Sequence, residues 1–291
     1  MIPPETIALI RRIEVRTKGL VDSMFGGEYS TAFRGQGVEF AEVRPYQMGD
    51  DVRSIDWNVS ARMGETYVKL YDEEREQQVM LAVDVSGSGR FGTHRQFKRE
   101  LAAELCALVG FSAIRNSDKV GLLLFSDRIE RFVPARKGRR HVLRLVRDLF
   151  AHEPEGRKTD IAGAADHLGR VLKRRSIVLL LSDFFDDGFE HSLRVLHGRH
   201  DTVALQLVDP RDLELPAVGL VELTDAETDE TLLVDTQSPA VRAHVAAQAR
   251  ARQEAIEAAL RHARIDHVQI RTDRDYVQPL IRFFRVRNRR A

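Results

Sequence analysis

The sequence holds a single cysteine, Cys106, in 291 residues. One thiol excludes an internal disulfide and any metal site built from cysteine alone. It stands in LAAELCALVG, an apolar helical stretch, where it reads as a small buried hydrophobe. Long hydrophobic runs are missing too; none approaches the ~20 residues that a membrane helix requires. The segment MIPPETIALIRRIEV turns charged too early for a secretory signal. Charge of one sign is also lacking. Lys and Arg total 45 against 44 Asp and Glu, a net +1 that gives no general pull toward nucleic acid or lipid. The stacking aromatics of RNA-binding modules are absent. The basic runs RKGRRHVLRLVR (136–147) and RFFRVRNRR (282–290) therefore read as solvated faces. These absences point to a protein of the reducing cytoplasm, with no nucleic-acid partner and no integral membrane segment.

From about residue 77 a regular alternation sets in. QVMLAVDV, KVGLLLFS, SIVLLLSD, TVALQLVD and HVQIRT read as strands, the first four apolar enough to be covered on both faces. Amphipathic helices lie between them. Thr93 and Gln96 form a capping box for a helix reaching about Arg115. RRHVLRLVRDLF and IAGAADHLGRVLKR are two more, and Ser238 with Pro239 opens a long helix to about Arg264. Strands alternating with helices predict an α/β fold with a doubly wound, mostly parallel sheet. RIERFVP is expected as an antiparallel edge strand, and VGLVELT with TLLVDT as a hairpin inserted near 218–236. Residues 1–76 are expected to form an accessory region of short strands such as VEFAEVRPY and YVKLYDEE, with the main domain over 77–291.

The stretch VMLAVDVSGSGRFGTH supports two incompatible readings. Gly87, Gly89 and Gly92 spell the glycine pattern of a dinucleotide site. That site wants glycine at the strand end and an acid about 20 residues later. Here Asp84 occupies the strand end, and the next strand-end acid, Asp127, comes about 35 residues after Gly92. The other reading takes Asp84, Ser86 and Ser88 as oxygen ligands of a hard ion, which needs about six oxygens. In a doubly wound sheet further ligands converge at the carboxyl ends of strands beside the switch point. If the first main strand neighbours SIVLLLSD, Asp183 arrives beside Asp84, with strands ~4.8 Å apart. Thr159, ahead of the intervening helix, adds a hydroxyl. The all-oxygen set Asp84, Ser86, Ser88, Thr159 and Asp183 favours Mg²⁺ (or Mn²⁺/Ca²⁺) over zinc or copper.

An enzyme is the competing class. Asp84 as a phosphoryl-transfer nucleophile would need a second acid two residues on, and Ser86 stands there. His94 lies nearby, but no Ser-His-Asp spacing and no P-loop occurs, so a non-enzymatic role is expected. A third feature is RPYQMGDDVRSIDWN. Its Arg44, Asp50, Asp51, Arg53, Asp56 and Trp57 read first as a small sheet pinned by ion pairs around Trp57, and alternatively as a partner-binding surface.

DVSGS, then KTD, then LLLSDF resembles the metal-ion-dependent adhesion site (MIDAS) of von Willebrand factor A domains. The upstream run RGQGVEFAEVRPYQMGDDVRSIDWNVSARMGETYVKLYDEERE resembles the signature of domain-of-unknown-function family fifty-eight, bacterial proteins with a divergent von Willebrand A-like domain. Gly89 stands where related sequences often have Met, and Met48 where Pro is common. The resemblance implies a Rossmann-like von Willebrand A fold and a metal site at the five residues named above. It also implies metal-dependent protein binding in which a partner's Asp or Glu completes the ion's coordination. The family's association with MoxR-type AAA+ ATPases implies an adaptor role in a chaperone-like complex, with the ATPase or its client as partner.

Overall fold

A computed structural model describes residues 4–21, 29, 39–72, 76–90, 97–224 and 230–288. It divides the chain into two compact units, Arg34–Glu76 and the remainder.

The larger unit is built on a six-stranded sheet of order β10-β7-β6-β3-β4-β5. Its strands are β3 (Gln78–Asp84), β4 (Lys119–Phe125), β5 (Ile129–Arg136), β6 (Ile177–Ser182), β7 (Asp201–Val208) and β10 (Asp266–Arg271). All pairings are parallel except β4 with β5, which closes one edge antiparallel as expected. The chain steps outward from β3 to β4 and β5, then returns to lay β6 on the other side of β3. The switch point therefore falls between β3 and β6.

Alternating side chains of β3 serve two cores. Val79, Leu81 and Val83 join one cluster with α1 (Pro4–Leu20), α3 (Lys98–Arg115), α4 (Arg139–Ala151) and α8 (Val277–Asn288). Met80 and Ala82 join a second with α5 (Ile161–Val171), α6 (Glu190–Arg199) and α7 (Pro239–His262). Burial on both faces is why these strands read as continuous apolar runs rather than alternating ones. Cys106 is free and buried, and burial pushes its thiol well above the ordinary range. The Ser238 hydroxyl caps α7, accepting from the Val241 N–H. The expected hairpin is present as β8 (Leu220–Thr224) and β9 (Thr231–Asp235). The Thr93–Gln96 capping box lies outside the described residues. At the described end of α3, the Glu100 carboxylate accepts from the Phe97 N–H at 3.1 Å.

Two expectations are corrected. The accessory region does not extend over all of 1–76. The segment before Arg34 belongs to the larger unit, because α1 packs its apolar side on α3 and α4 and Arg16 pairs with Glu104 at 3.1 Å. The unit Arg34–Glu76 contains β1 (Glu39–Pro45) paired antiparallel with β2 (Tyr67–Asp72) and the short α2 (Trp57–Met63). Trp57 is not a core anchor: it opens α2 with 68% of its surface exposed. The polar residues around it make local bonds. Arg44 forks onto Asp50 with two 2.7 Å bonds, Asp51 accepts from the Arg53 N–H, and Asp56 caps α2 through the Asn58 and Val59 N–H groups. The basic runs are partly neutralised: Arg139 pairs with Glu14, and Arg287 with Asp266 and Asp201.

Gly121 lies where the β4–β5 ladder shifts register, and an added Cβ would stand 2.7 Å from Met80 Cε and 2.9 Å from two backbone atoms of β5. Gly121→Ala should lower stability by about 1–3 kcal/mol in urea unfolding. Gly169, in α5 with nothing near its Cβ position, should tolerate alanine or gain up to about 1 kcal/mol.

Candidate functional site

β3 ends in Asp84, at the carboxyl rim of the sheet beside the switch point. Its two oxygens collect donors from separate parts of the chain. Oδ1 accepts the Ser86 N–H at 3.0 Å, a local turn that folds the serine loop back over the strand end. Oδ2 accepts the Ser182 hydroxyl at 2.6 Å and the Thr159 hydroxyl at 3.2 Å. Ser182, the last residue of β6, in turn accepts the Phe184 N–H at 2.9 Å, which orients its own proton toward Asp84. The Ser86 and Ser88 hydroxyls lie 3.0 Å apart.

Asp183 follows Ser182 on the same rim. Oδ1 accepts the Phe185 N–H, while Oδ2 lies 2.9 Å from the Lys98 ammonium. Between them Phe184 adopts a left-handed backbone, φ 63°, and buries its ring against Phe189. Such a conformation is uncommon for a bulky residue and persists where packing over-determines it. Lys98 begins α3 and also reaches Asp212 at 2.8 Å. Asp212 lies in the helical turn Pro210–Leu213 that follows β7.

The charges are crowded. Burial first, then the charge of Asp183, pushes Asp84 up to about 6, against the pull of its hydrogen bonds from Ser182 and Ser86. Burial pulls the Lys98 ammonium down, but Asp183 and Asp212 outweigh it and the net shift is upward. A hollow of about 10 Å³ lies among Asp84, Ser88, Ser182, Asp183 and Lys98, the size of a single small occupant. A wider cleft of about 510 Å³ shares Ser88 and Lys98 with it and runs past Phe185, Arg252 and Ile256.

The loop that carries Thr159 is fastened from below. The Glu130 side chain, 2% exposed, accepts from the Ser126 hydroxyl and from the Gly156 and Glu155 N–H groups, and pairs with His152. Gly156 admits no side chain, since a Cβ would stand 2.1 Å from Ser126 Oγ. The Gly87 N–H donates to the Arg157 carbonyl at 2.9 Å, tying this loop to the serine loop. That amide is therefore not turned toward a phosphate, as the dinucleotide reading of Gly87, Gly89 and Gly92 would have it; Gly92 and His94 lie outside the described residues.

All five expected ligand residues thus lie on one rim. Asp84, Ser86, Ser88 and Thr159 are linked by hydrogen bonds, whereas Asp183 is held by Lys98. Among the described residues no group of three or more His, Cys, Asp or Glu is placed to hold a metal, so any ion here depends on the hydroxyls. Sequence reasoning missed Ser182, Lys98, Asp212 and Glu130. Ser182 had a signal, its place beside Asp183 at a strand end; the other three had none.

The family described as Protein of unknown function DUF58 matches residues 42–255. The chain belongs to this family. Its relatives include the uncharacterized protein Rv1480 of Mycobacterium tuberculosis, 34% identical over 99% of this chain and 92% of its own length. The uncharacterized protein YeaD of Bacillus subtilis is 24% identical over 60% of this chain and 41% of its own. Among solved structures, an aerotolerance-related membrane protein from Bacteroides fragilis matches with a TM-score of 0.48 at 14% identity, covering 74% of this chain and all of its own. The SpRpn10 VWA domain matches at 0.41 and 11%, covering 71% and 94%. Likenesses of this strength bear on neither function nor partner. The fold itself is a doubly wound α/β sheet with one antiparallel edge strand, and no helix among the described residues is long and apolar enough to cross a membrane.

Two predictions follow from the charges. Glu130 is held down to about 2: burial pushes it up, and its donors outweigh that. The stability it contributes is present above its unfolded value of about 4.3 and is lost as pH falls through 2. Glu130→Gln should cost about 1–3 kcal/mol at pH 7 and flatten the acid limb of a pH-resolved unfolding series. Asp84 has the opposite sign, since its folded value is raised. Its favourable contribution is complete below about 3.9 and vanishes as pH rises through about 6. Asp84→Asn should therefore raise the melting temperature in EDTA at pH 8 and change little at pH 4.

Proposed function

We propose that this DUF58 protein is a non-enzymatic, metal-dependent protein-binding module. In this reading Asp84, Ser86, Ser88, Thr159 and Asp183 hold Mg²⁺ (or Mn²⁺/Ca²⁺). When bound, the ion supplies a Lewis-acidic position that accepts a carboxylate oxygen from a partner's Asp or Glu. The observation that carries the reading is Asp84 itself. It is a confined carboxylate with donors converging from three chain segments, next to a second acid and to a hollow of single-ion size.

The chemistry of the donor set fits a hard divalent ion, being carboxylate and hydroxyl only. The charge fits as well. Asp84, Asp183 and Asp212 bring three negative charges against the positive charges of Lys98 and Arg99, which also border the hollow, leaving a net negative charge. Burial first, and the charge of Asp183 second, raise the pKa of Asp84, so a cation beside it would relieve both. The hydrogen-bond partners of Asp84 among the described residues are two hydroxyls and one amide. The cleft beside the site gives a partner segment room to lie next to the ion. The MoxR-type AAA+ ATPase implied by the family resemblance, or a client of that ATPase, is the partner to test. The adaptor role in a chaperone-like complex belongs to the same proposal, as does a cytoplasmic setting.

The test begins with the ion alone. EDTA-treated protein should gain thermal stability on addition of Mg²⁺ or Mn²⁺, by about 2.7 kcal/mol at 100-fold excess over Kd. Ser86→Ala/Ser88→Ala should abolish the gain. Capture of the purified MoxR-type ATPase should then be lost in EDTA, restored by Mg²⁺, and absent in the double variant. A wild-type protein whose melting temperature ignores Mg²⁺, Mn²⁺ and Ca²⁺ alike would overturn the reading.

A further inference from the structure

We infer that Lys98 is a built-in counter-ion of this site, competing with a divalent ion for Asp183, and that Asp212 is the seat to which its ammonium withdraws when an ion enters. The inference rests on the metal reading above and adds its regulation.

Three observations carry it. First, the ammonium bridges two carboxylates, at 2.9 Å to Asp183 and 2.8 Å to Asp212, with side-chain exposures of 3%, 2% and 10% for the three residues. Burying an ammonium is costly unless it is paired, but one carboxylate neutralises it. The second acid is surplus to that need, and the trio keeps a net negative charge. Second, the two acids differ in how they are tied. Asp183 lines the small hollow together with Asp84, Ser88 and Ser182, and Lys98 lines the same hollow. Asp212 does not border it. Its Oδ2 also accepts the Asp209 N–H at 2.9 Å, within a turn that Pro210 begins. One partner of the lysine thus belongs to the ion's space and the other lies outside it. Third, Lys98 is the first residue of α3, a helix buried along most of its length. Its backbone is fixed, so the only freedom left is the swing of a four-carbon stem between two acceptors.

Coulomb repulsion sets the direction. A divalent ion and an ammonium sharing Asp183 Oδ2 would repel each other at close range. Lysine on Asp183 raises the concentration at which the ion binds; lysine on Asp212 releases Asp183 as a ligand. The same move reaches the partner-facing surface. Lys98 and Asp212 both line the wide cleft, and the ammonium stands 5.1 Å from the Phe185 ring centroid there. Occupancy of the ion site thereby resets the charge at the cleft floor.

The experiment measures Mg²⁺ and Mn²⁺ affinity by titration calorimetry on EDTA-stripped full chain for wild type, Lys98→Met and Asp212→Asn. Lys98→Met keeps the apolar stem and removes the charge. It should melt lower in EDTA, bind Mg²⁺ at least about tenfold more tightly, and recover more stability from the ion than wild type does. Asp212→Asn removes the alternative seat and should weaken Mg²⁺ binding about tenfold; its opposite sign keeps the test decisive if Lys98→Met does not fold. A merely structural lysine would lower stability in both variants and leave both affinities unchanged. Wild type that binds Mg²⁺ while Lys98→Met binds it no more tightly, or Asp212→Asn no more weakly, overturns this inference and leaves the metal reading standing. Binding by Lys98→Met alone, with none by wild type, overturns the metal reading for the native chain and this inference with it. Binding by none of the three proteins overturns both.

Discussion

Everything at the carboxyl rim answers to the need to satisfy Asp84. A carboxylate at the end of a central strand, covered by neighbouring loops, has lost much of its water and must find donors in protein. It finds the Ser86 amide, the Ser182 hydroxyl and the Thr159 hydroxyl, from three segments far apart in the chain. Each of those segments is positioned by its own device. The serine loop turns back through a local hydrogen bond, and Ser182 is delivered by the parallel register of β6 on β3. The Thr159 loop is held by Glu130, by the close approach at Gly156, and by the Asp160 N–H on the Ser126 carbonyl.

The donors do not balance the charge. Hydrogen bonds lower the cost of the ionised form, yet burial and the neighbouring Asp183 still push Asp84 upward. Asp183 has a partner of opposite sign in Lys98; Asp84 has none within hydrogen-bonding reach among the described residues. The rim therefore pairs one neutralised acid with one unneutralised acid across adjacent strands. That asymmetry is the physical root of both proposals: it favours a cation at Asp84 and makes Lys98 the group that such a cation must displace from Asp183.

The unit Arg34–Glu76 is organised on a different principle. Among the described residues it has two strands and short helical turns, and three of its aspartates hold local structure. Asp50 braces Arg44, Asp51 and Asp56 cap the turns that follow them, and Gly64 ends α2 in a left-handed cap, φ 77°. Trp57 and Met48 are left on its surface. A dense run of charge and one tryptophan looked in sequence like a core pinned by ion pairs. Capping explains the acids just as well, because Asp before a helical turn satisfies free N–H groups, and a tryptophan at the first helical position need not face inward.

The sequence by itself determined the elements and their class. Strands covered on both faces must be apolar throughout, so β3, β4, β6 and β7 were legible as runs, and the Ser238–Pro239 start of α7 was legible as a cap. Asp84, Ser86 and Ser88 were legible because two-residue spacing within one loop is a local property. That Asp183 reaches Asp84 was only conditional on strand order, which no single segment encodes; the pairing of β3 with β6 met that condition. Lys98, Asp212 and Glu130 were decided by tertiary structure alone. A lysine opening a helix, an aspartate in a turn and a glutamate on an edge strand are ordinary surface residues in sequence. They become interior charges only when the doubly wound sheet gathers its strand ends at one rim, where burial strengthens every interaction between groups the chain keeps far apart.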